Sequence, residues 1–135
     1  MKNNYNLNIG IDIVTVSKVG ELISKHKEFL TTVFTAREIA YCEEKKKSGE
    51  HFAARFAAKE SVLKALGIGL GKGIEWTDVE ILSSNSGKPR VCLHGEINEF
   101  ACKKNVEKIV ISLSHCETHA IAQALVVPKN RGYEN

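Results

Sequence analysis

Two carboxylates stand where acid is costly. Asp12 falls inside Ile9-Gly10-Ile11-Asp12-Ile13-Val14, the kind of β-branched run in which Asp is depleted. Glu60 falls inside Arg55-Phe56-Ala57-Ala58-Lys59-Glu60-Ser61-Val62-Leu63-Lys64, where helical spacing puts Phe56, Ala57, Leu63 and Lys64 on its own face. A carboxylate at the edge of an apolar face must be paired or hold a cation, because an isolated buried charge is strongly unfavourable. Two hard oxygen ligands on two rigid elements suit Mg²⁺, which takes one or two carboxylates and fills its octahedron with waters and substrate phosphates. Mn²⁺ suits the same oxygens. Arg55, Lys59 and Lys64 lie on the same helix as Glu60, and a phosphate beside a metal needs such cations. Spacing alone leaves a second arrangement open, with Glu60 paired to Lys64 at i,i+4 and Asp12 capping a turn.

The other reactive side chains narrow the field. Cys42, Cys92, Cys102 and Cys116 form no CxxC pair, and no HExxH or His-x-Glu signature accompanies them. Idle or buried thiols in a reducing compartment are expected rather than zinc. Gly67-Ile68-Gly69-Leu70-Gly71-Lys72-Gly73 leaves the backbone free to bend or to approach a ligand. It lacks the Gly-Lys-Ser/Thr ending of a P-loop, which disfavours a nucleoside triphosphate. Lys45-Lys46-Lys47, with Lys18, Lys25 and Lys27, offers a basic surface to an acidic protein or a phosphate-rich ligand. A net charge of +3 over 135 residues is too mild to imply nucleic acid.

These groups must be positioned by a fold that the pattern outlines. Residues 8–14 alternate with period two, giving a strand with one buried face, Ile9, Ile11 and Ile13 on one side and Gly10, Asp12 and Val14 on the other. Residues 17–29 read as a helix. Thr35-Ala36-Arg37-Glu38 is a capping box opening a second helix, with the lysine run near its end. Good helix formers fill a third, roughly residues 50–66, closed by Gly67 as a left-handed cap. Trp76–Leu82 and Arg90–Leu93 read as strands around the turn Asn85–Pro89. Glu96–Lys104 reads as a helix, and residues 108–114 and 119–127 as two strands joined by His115–Thr118. Helices come early and paired strands late, so the class is α+β. The length and the 43% hydrophobic content suit one domain spanning 1–135 with its core in about 8–127. The N-terminus lacks the apolar core of a signal peptide and no run is long enough to span a bilayer, so a cytoplasmic protein with no membrane partner is expected.

Ile9–Val14 resembles the first motif of the holo-acyl-carrier-protein synthases, the small bacterial phosphopantetheinyl transferases. Arg55–Ser61, with Lys64 after it, resembles their central motif. Phe34–Glu38, Asn85–Pro89 and Ser112–His115 resemble the segments between and after these. Order and spacing agree from about residue 8 to 127. Ser61 stands where the family carries Ala, and Cys116 where it often carries Thr.

The resemblance implies an antiparallel sheet packed with helices, and a homotrimer with sites between subunits. It implies Mg²⁺ held by Asp12 and Glu60 at the pyrophosphate of coenzyme A, the donor substrate. Lys64 would contact a phosphate and help protonate the departing adenosine 3',5'-bisphosphate. Lys46, Lys47 and Arg55 would lie near the nucleotide's phosphates, and Gly67, Pro89 and His115 would line the coenzyme pocket. Glu60 or a metal-bound water would take the proton of the acyl carrier protein's serine. Lys18 and Lys25 would receive that acidic partner, in support of fatty acid biosynthesis. A nucleotide-cleaving hydrolase and a small RNA-binding module are the competing readings, the latter disfavoured by the mild charge and the lack of stacking aromatics.

Overall fold

The computed structural model describes residues 8–130; the two ends of the expected 1–135 domain lie outside the described residues. Strand β1 (Asn8–Thr15) leads into helix α1 (Val16–Lys25), a short α2 (Phe29–Val33) and α3 (Ala36–Glu43). The long α4 (Ser48–Leu66) follows, then a 3₁₀ turn at Trp76–Asp78 and the hairpin of β2 (Val79–Ser83) and β3 (Pro89–Leu93). Helix α5 (Gly95–Lys103) precedes the long hairpin of β4 (Val106–His115) and β5 (His119–Pro128). The three long strands form one antiparallel sheet in the order β1-β5-β4, and β2-β3 forms a second, smaller one. The α+β class with antiparallel sheets is as expected.

Helix α4 is the axis of the molecule. One end packs Phe52, Ala53 and Ala54 against Val19, Val33, Phe34 and Ala120; the other packs Ala57, Ala58, Val62 and Ala65 against the sheet and the β2-β3 hairpin. A helix covered on nearly every side needs apolar residues all round, and its many alanines let neighbours come close.

Gly10 is where β1 comes nearest. A Cβ there would lie 2.6 Å from the Ala65 backbone nitrogen and against the Ser61 carbonyl. Only glycine lets the strand cross the helix at that distance. Ser61, in the place of the family's Ala, is fully buried and turns its hydroxyl back to the Ala58 carbonyl at 2.8 Å.

Two buried acids tie the helices to the small sheet. Glu38 and Lys59, both completely buried, pair at 2.8 Å. Lys59 spends its other donors on the carbonyls of Val79 (2.6 Å) and Trp76 (3.2 Å). Glu38 accepts from the backbone N–H groups of Thr35 and Ile81. Glu80 accepts from Thr35, Arg37 and His94.

Two expectations need correction, and the buried face of β1 can be named. Helix 17–29 stops at Lys25 and resumes as the separate α2, because the chain turns at His26–Glu28 to bring Phe29 onto Phe34 and Phe56. The strand expected from Trp76 starts only at Val79, since Asp78 and Glu75 close a 3₁₀ capping box before it. In β1 the buried side is that of Gly10, while Ile9, Ile11 and Ile13 point outward at 61%, 54% and 62% exposure. The lysine run lies in the loop between α3 and α4. The capping box of α3 and the left-handed Gly67 (φ 71°) are as expected.

Candidate active site

The register of β1 and the pitch of α4 set the first half of the site. Asp12 follows Gly10 on the inward face of β1, so the close crossing at Gly10 carries its carboxylate to α4 one turn from Ser61. Lys64 meets it there, with Nζ donating to Asp12 Oδ1 at 2.9 Å and to the Ile11 carbonyl at 3.1 Å. The i,i+4 pair of Lys64 with Glu60 is therefore not the arrangement adopted. Among the described residues Glu60 has no hydrogen-bonding partner. Burial, and then the negative charge of Asp12, push its carboxyl above the usual range, against the opposing pull of Lys64. The hydrogen bond to Asp12 holds the Lys64 ammonium above its own usual range. Gly67 caps the same end of α4.

Two neighbouring carboxylates, with one ammonium on Asp12, carry an excess of negative charge at the helix surface. A hard divalent cation would answer that excess through these oxygens. The donor set thus fits Mg²⁺ or Mn²⁺ with waters and phosphate oxygens completing the shell.

The other expected site residues lie elsewhere on the chain. A cleft of about 310 Å³ is lined by Tyr41, His51, Arg55, Pro89, Ser112 and His115, among others. Arg55 is 3% exposed; its guanidinium stacks 3.9 Å from the Tyr41 ring centre and donates to Ser83 at 3.1 Å. Its Nε has no partner among the described residues. A buried guanidinium lining a cleft suits an anion.

Arg55 and Glu60 are five positions apart on α4, which turns them to different sides of the helix. Of the expected site residues, Asp12, Glu60 and Lys64 come together, and Arg55, Pro89 and His115 come together, but the two groups do not line one cavity. Lys46 and Lys47 are exposed just before α4, and Lys47 reaches Glu50 at 3.9 Å. Lys18 and Lys25 are exposed on α1, Lys25 within 3.9 Å of Glu21.

Tyr41, His51 and Glu50 were missed in the sequence. His51 precedes Arg55 by four residues, a same-face spacing that could have drawn attention to it. Tyr41 and Glu50 carry no local signal, since their partners Ser83 and His115 come from distant strands.

Residues 8–124 match the profile of the 4'-phosphopantetheinyl transferase superfamily. The chain belongs to this superfamily. It is similar to the holo-[acyl-carrier-protein] synthase of Moorella thermoacetica, 48% identical over 120 residues that cover 89% of this chain and 93% of that one. The synthase of Geotalea daltonii is 43% identical over 87% of this chain and 94% of that one. Among solved structures, the Helicobacter pylori holo-[acyl-carrier-protein] synthase in complex with coenzyme A is 32% identical, with a TM-score of 0.77 over 88% of this chain and 99% of that one. The transferase is therefore an enzyme of the small α+β synthase type. No helix among its described residues is long and apolar enough to cross a membrane.

Proposed function

We propose that the transferase moves the 4'-phosphopantetheine group of coenzyme A onto a serine of apo acyl carrier protein, with Mg²⁺ held by Asp12 and Glu60. The meeting of Asp12 with Glu60 and Lys64 carries this reading, because it unites the two family motifs at one point where negative charge is in excess. The serine oxygen attacks the phosphorus that bears pantetheine. A new phosphorus–oxygen bond forms, and the bond to the bridging oxygen of the diphosphate breaks. The electron pair leaves on the phosphate of adenosine 3',5'-bisphosphate. The bound cation, when present, offsets charge on the diphosphate oxygens.

Glu60, or a water on the bound cation, takes the serine proton. Lys64 supplies positive charge to the departing phosphate. Its ammonium can also help protonate that group, although a phosphate monoester, with a second pKa near 6, leaves with little need of a proton at neutral pH.

Arg55, Lys46, Lys47, Gly67, Pro89 and His115 bind the donor. All of that set but Gly67 lies away from the metal pair, which supports a site completed by a second subunit of a homotrimer. The outward apolar face of β1 is the surface on which copies would join. Lys18 and Lys25 receive the carrier protein, so added salt raises its KM. The four unpaired thiols suit a reducing cytoplasm, and loaded carrier protein serves fatty acid biosynthesis.

The deciding experiment incubates the protein with coenzyme A, Mg²⁺ and apo carrier protein and weighs the carrier by mass spectrometry. A gain of one phosphopantetheinyl group is expected, lost in Asp12→Ala and in Glu60→Ala. Cleavage of coenzyme A with no gain in carrier mass would favour a hydrolase instead.

A further inference from the structure

Glu50, in the first turn of α4, is 8% exposed. Among the described residues its carboxylate has two partners, His115 Nδ1 at 2.8 Å and Lys47 Nζ at 3.9 Å. An ionised carboxylate can only accept, so His115 Nδ1 carries the hydrogen. In the neutral ring the other nitrogen, Nε2, is then a bare lone pair. A phosphate oxygen is also only an acceptor. The two cannot share a hydrogen bond until Nε2 gains a proton.

The surroundings direct that proton to His115. His51 packs edge-on against the His115 ring with centroids 4.9 Å apart. Burial first, and the positive charges of Arg55 and Lys45, hold His51 below the usual imidazole range, and a proton on His115 pushes it lower still. The groups facing the pair are Glu50, Lys47 and Arg55 from α4, Tyr41 and Lys45 from α3 and its following loop, Lys88 from the β2-β3 turn, and Cys116 beyond β4. Cations outnumber anions there. An anion entering the cleft gives the ring a second negative partner beside Glu50 and so favours a proton there.

We propose that seating a donor phosphate in this cleft is coupled to uptake of one proton at His115 Nε2, with Glu50 as the positioning residue that fixes the ring for it. This rests on the cleft being the coenzyme A subsite. The proton comes from the buffer and forms an N–H bond at Nε2. The imidazolium then donates from Nε2 to a phosphate oxygen and from Nδ1 to Glu50. No bond to phosphorus is made or broken.

The test is calorimetric titration of the Mg²⁺-loaded protein with coenzyme A in buffers that differ in ionisation enthalpy. Proton uptake on donor binding is expected, larger at about pH 8 than at about pH 5.5. His115→Gln binds the donor more weakly and takes up none. Glu50→Gln keeps an acceptor for Nδ1–H but removes the charge. It lowers the uptake at pH 8 and raises KM for coenzyme A roughly tenfold, the worth of one charge-assisted hydrogen bond, with a smaller fall in kcat. Donor binding with no buffer dependence overturns the proton coupling and leaves the cleft's assignment standing. Uptake unchanged in Glu50→Gln overturns the role of Glu50. Donor affinity indifferent to both Arg55→Ala and His115→Gln overturns the assignment of the cleft, and the coupling with it.

Discussion

Two carboxylates and one ammonium do not cancel, and this imbalance defines the chemistry of Asp12, Glu60 and Lys64. Burial and the charge of Asp12 raise Glu60 above the ordinary carboxylate range. Protons and a divalent cation compete for the same oxygens. Affinity for Mg²⁺ should therefore fall on acidification, and should begin to fall at a higher pH than it would for an unperturbed carboxylate. Titration with Mn²⁺ followed by electron paramagnetic resonance, at about pH 7.5 and about pH 5.5, reads the effect. Asp12→Asn and Glu60→Gln should each weaken binding at least tenfold, and an affinity that stays flat across this range would contradict the pairing. Residue types alone were enough to single out these two acids, because an Asp in an Ile-rich strand and a Glu at an apolar helix edge are locally anomalous. Their partner was not legible. Lys64 takes Asp12, 52 residues away, in preference to Glu60 four residues away, and no local pattern records which pairing a crossing strand will offer.

At the scale of elements, the site depends on how closely β1 lies on α4. Gly10→Ala would set a methyl group against backbone atoms of Ser61 and Ala65, which cannot swing aside as a side chain can. The strand must lift, at a cost of about 1–3 kcal/mol, and Asp12 lifts with it. Thermal unfolding should show the loss of stability, and the Mn²⁺ titration a weaker metal site even in the folded fraction.

The small sheet is held by a different device. Burial opposes ionisation of Glu80, but hydrogen bonds from Thr35, His94 and Arg37 more than offset it and bring the carboxyl from an ordinary 4.5 down to about 2. A carboxyl depressed in the folded state stabilises the fold above its unfolded value and loses that contribution as pH falls through the folded one. Glu80→Gln should thus destabilise the protein by about 1–3 kcal/mol at neutral pH. The gap to wild type should close between about pH 4.5 and about pH 2 in denaturant titrations, and a gap independent of pH would refute the ionic account. Helix α4, the capping box of α3 and the β4-β5 hairpin were all legible, since each rests on local chemistry. The break at His26–Glu28 was not, because the tertiary packing of Phe29 on Phe34 and Phe56 decides it.

The whole molecule presents a sheet with one side covered and one side bare. Periodicity showed that β1 has two unlike faces, but not that the isoleucine face would stay exposed among the described residues. Ile9, Ile11 and Ile13 stand outward beside Ile121 of β5, and Val110 of β4 is exposed as well. An exposed apolar row of this kind marks an interaction surface, and the proposed homotrimer would join there. The separation of the site gives this surface a catalytic consequence. If the metal pair of one subunit works with the Arg55–His115 cleft of its neighbour, a subunit lacking one half can still lend the other. Asp12→Ala and His115→Ala, each inactive or nearly so alone, should recover a fraction of wild-type transfer when dissociated, mixed and reassembled, because some interfaces then unite two intact halves. Transfer is read as the mass gain of the carrier protein. The same mixture made on an Ile11→Glu background, which sets like charges on the joining faces, should run as monomers on sedimentation and recover nothing. Recovery by monomers, or none from assembled mixtures, would place both halves of the reaction within one chain and leave the bare face without a catalytic role.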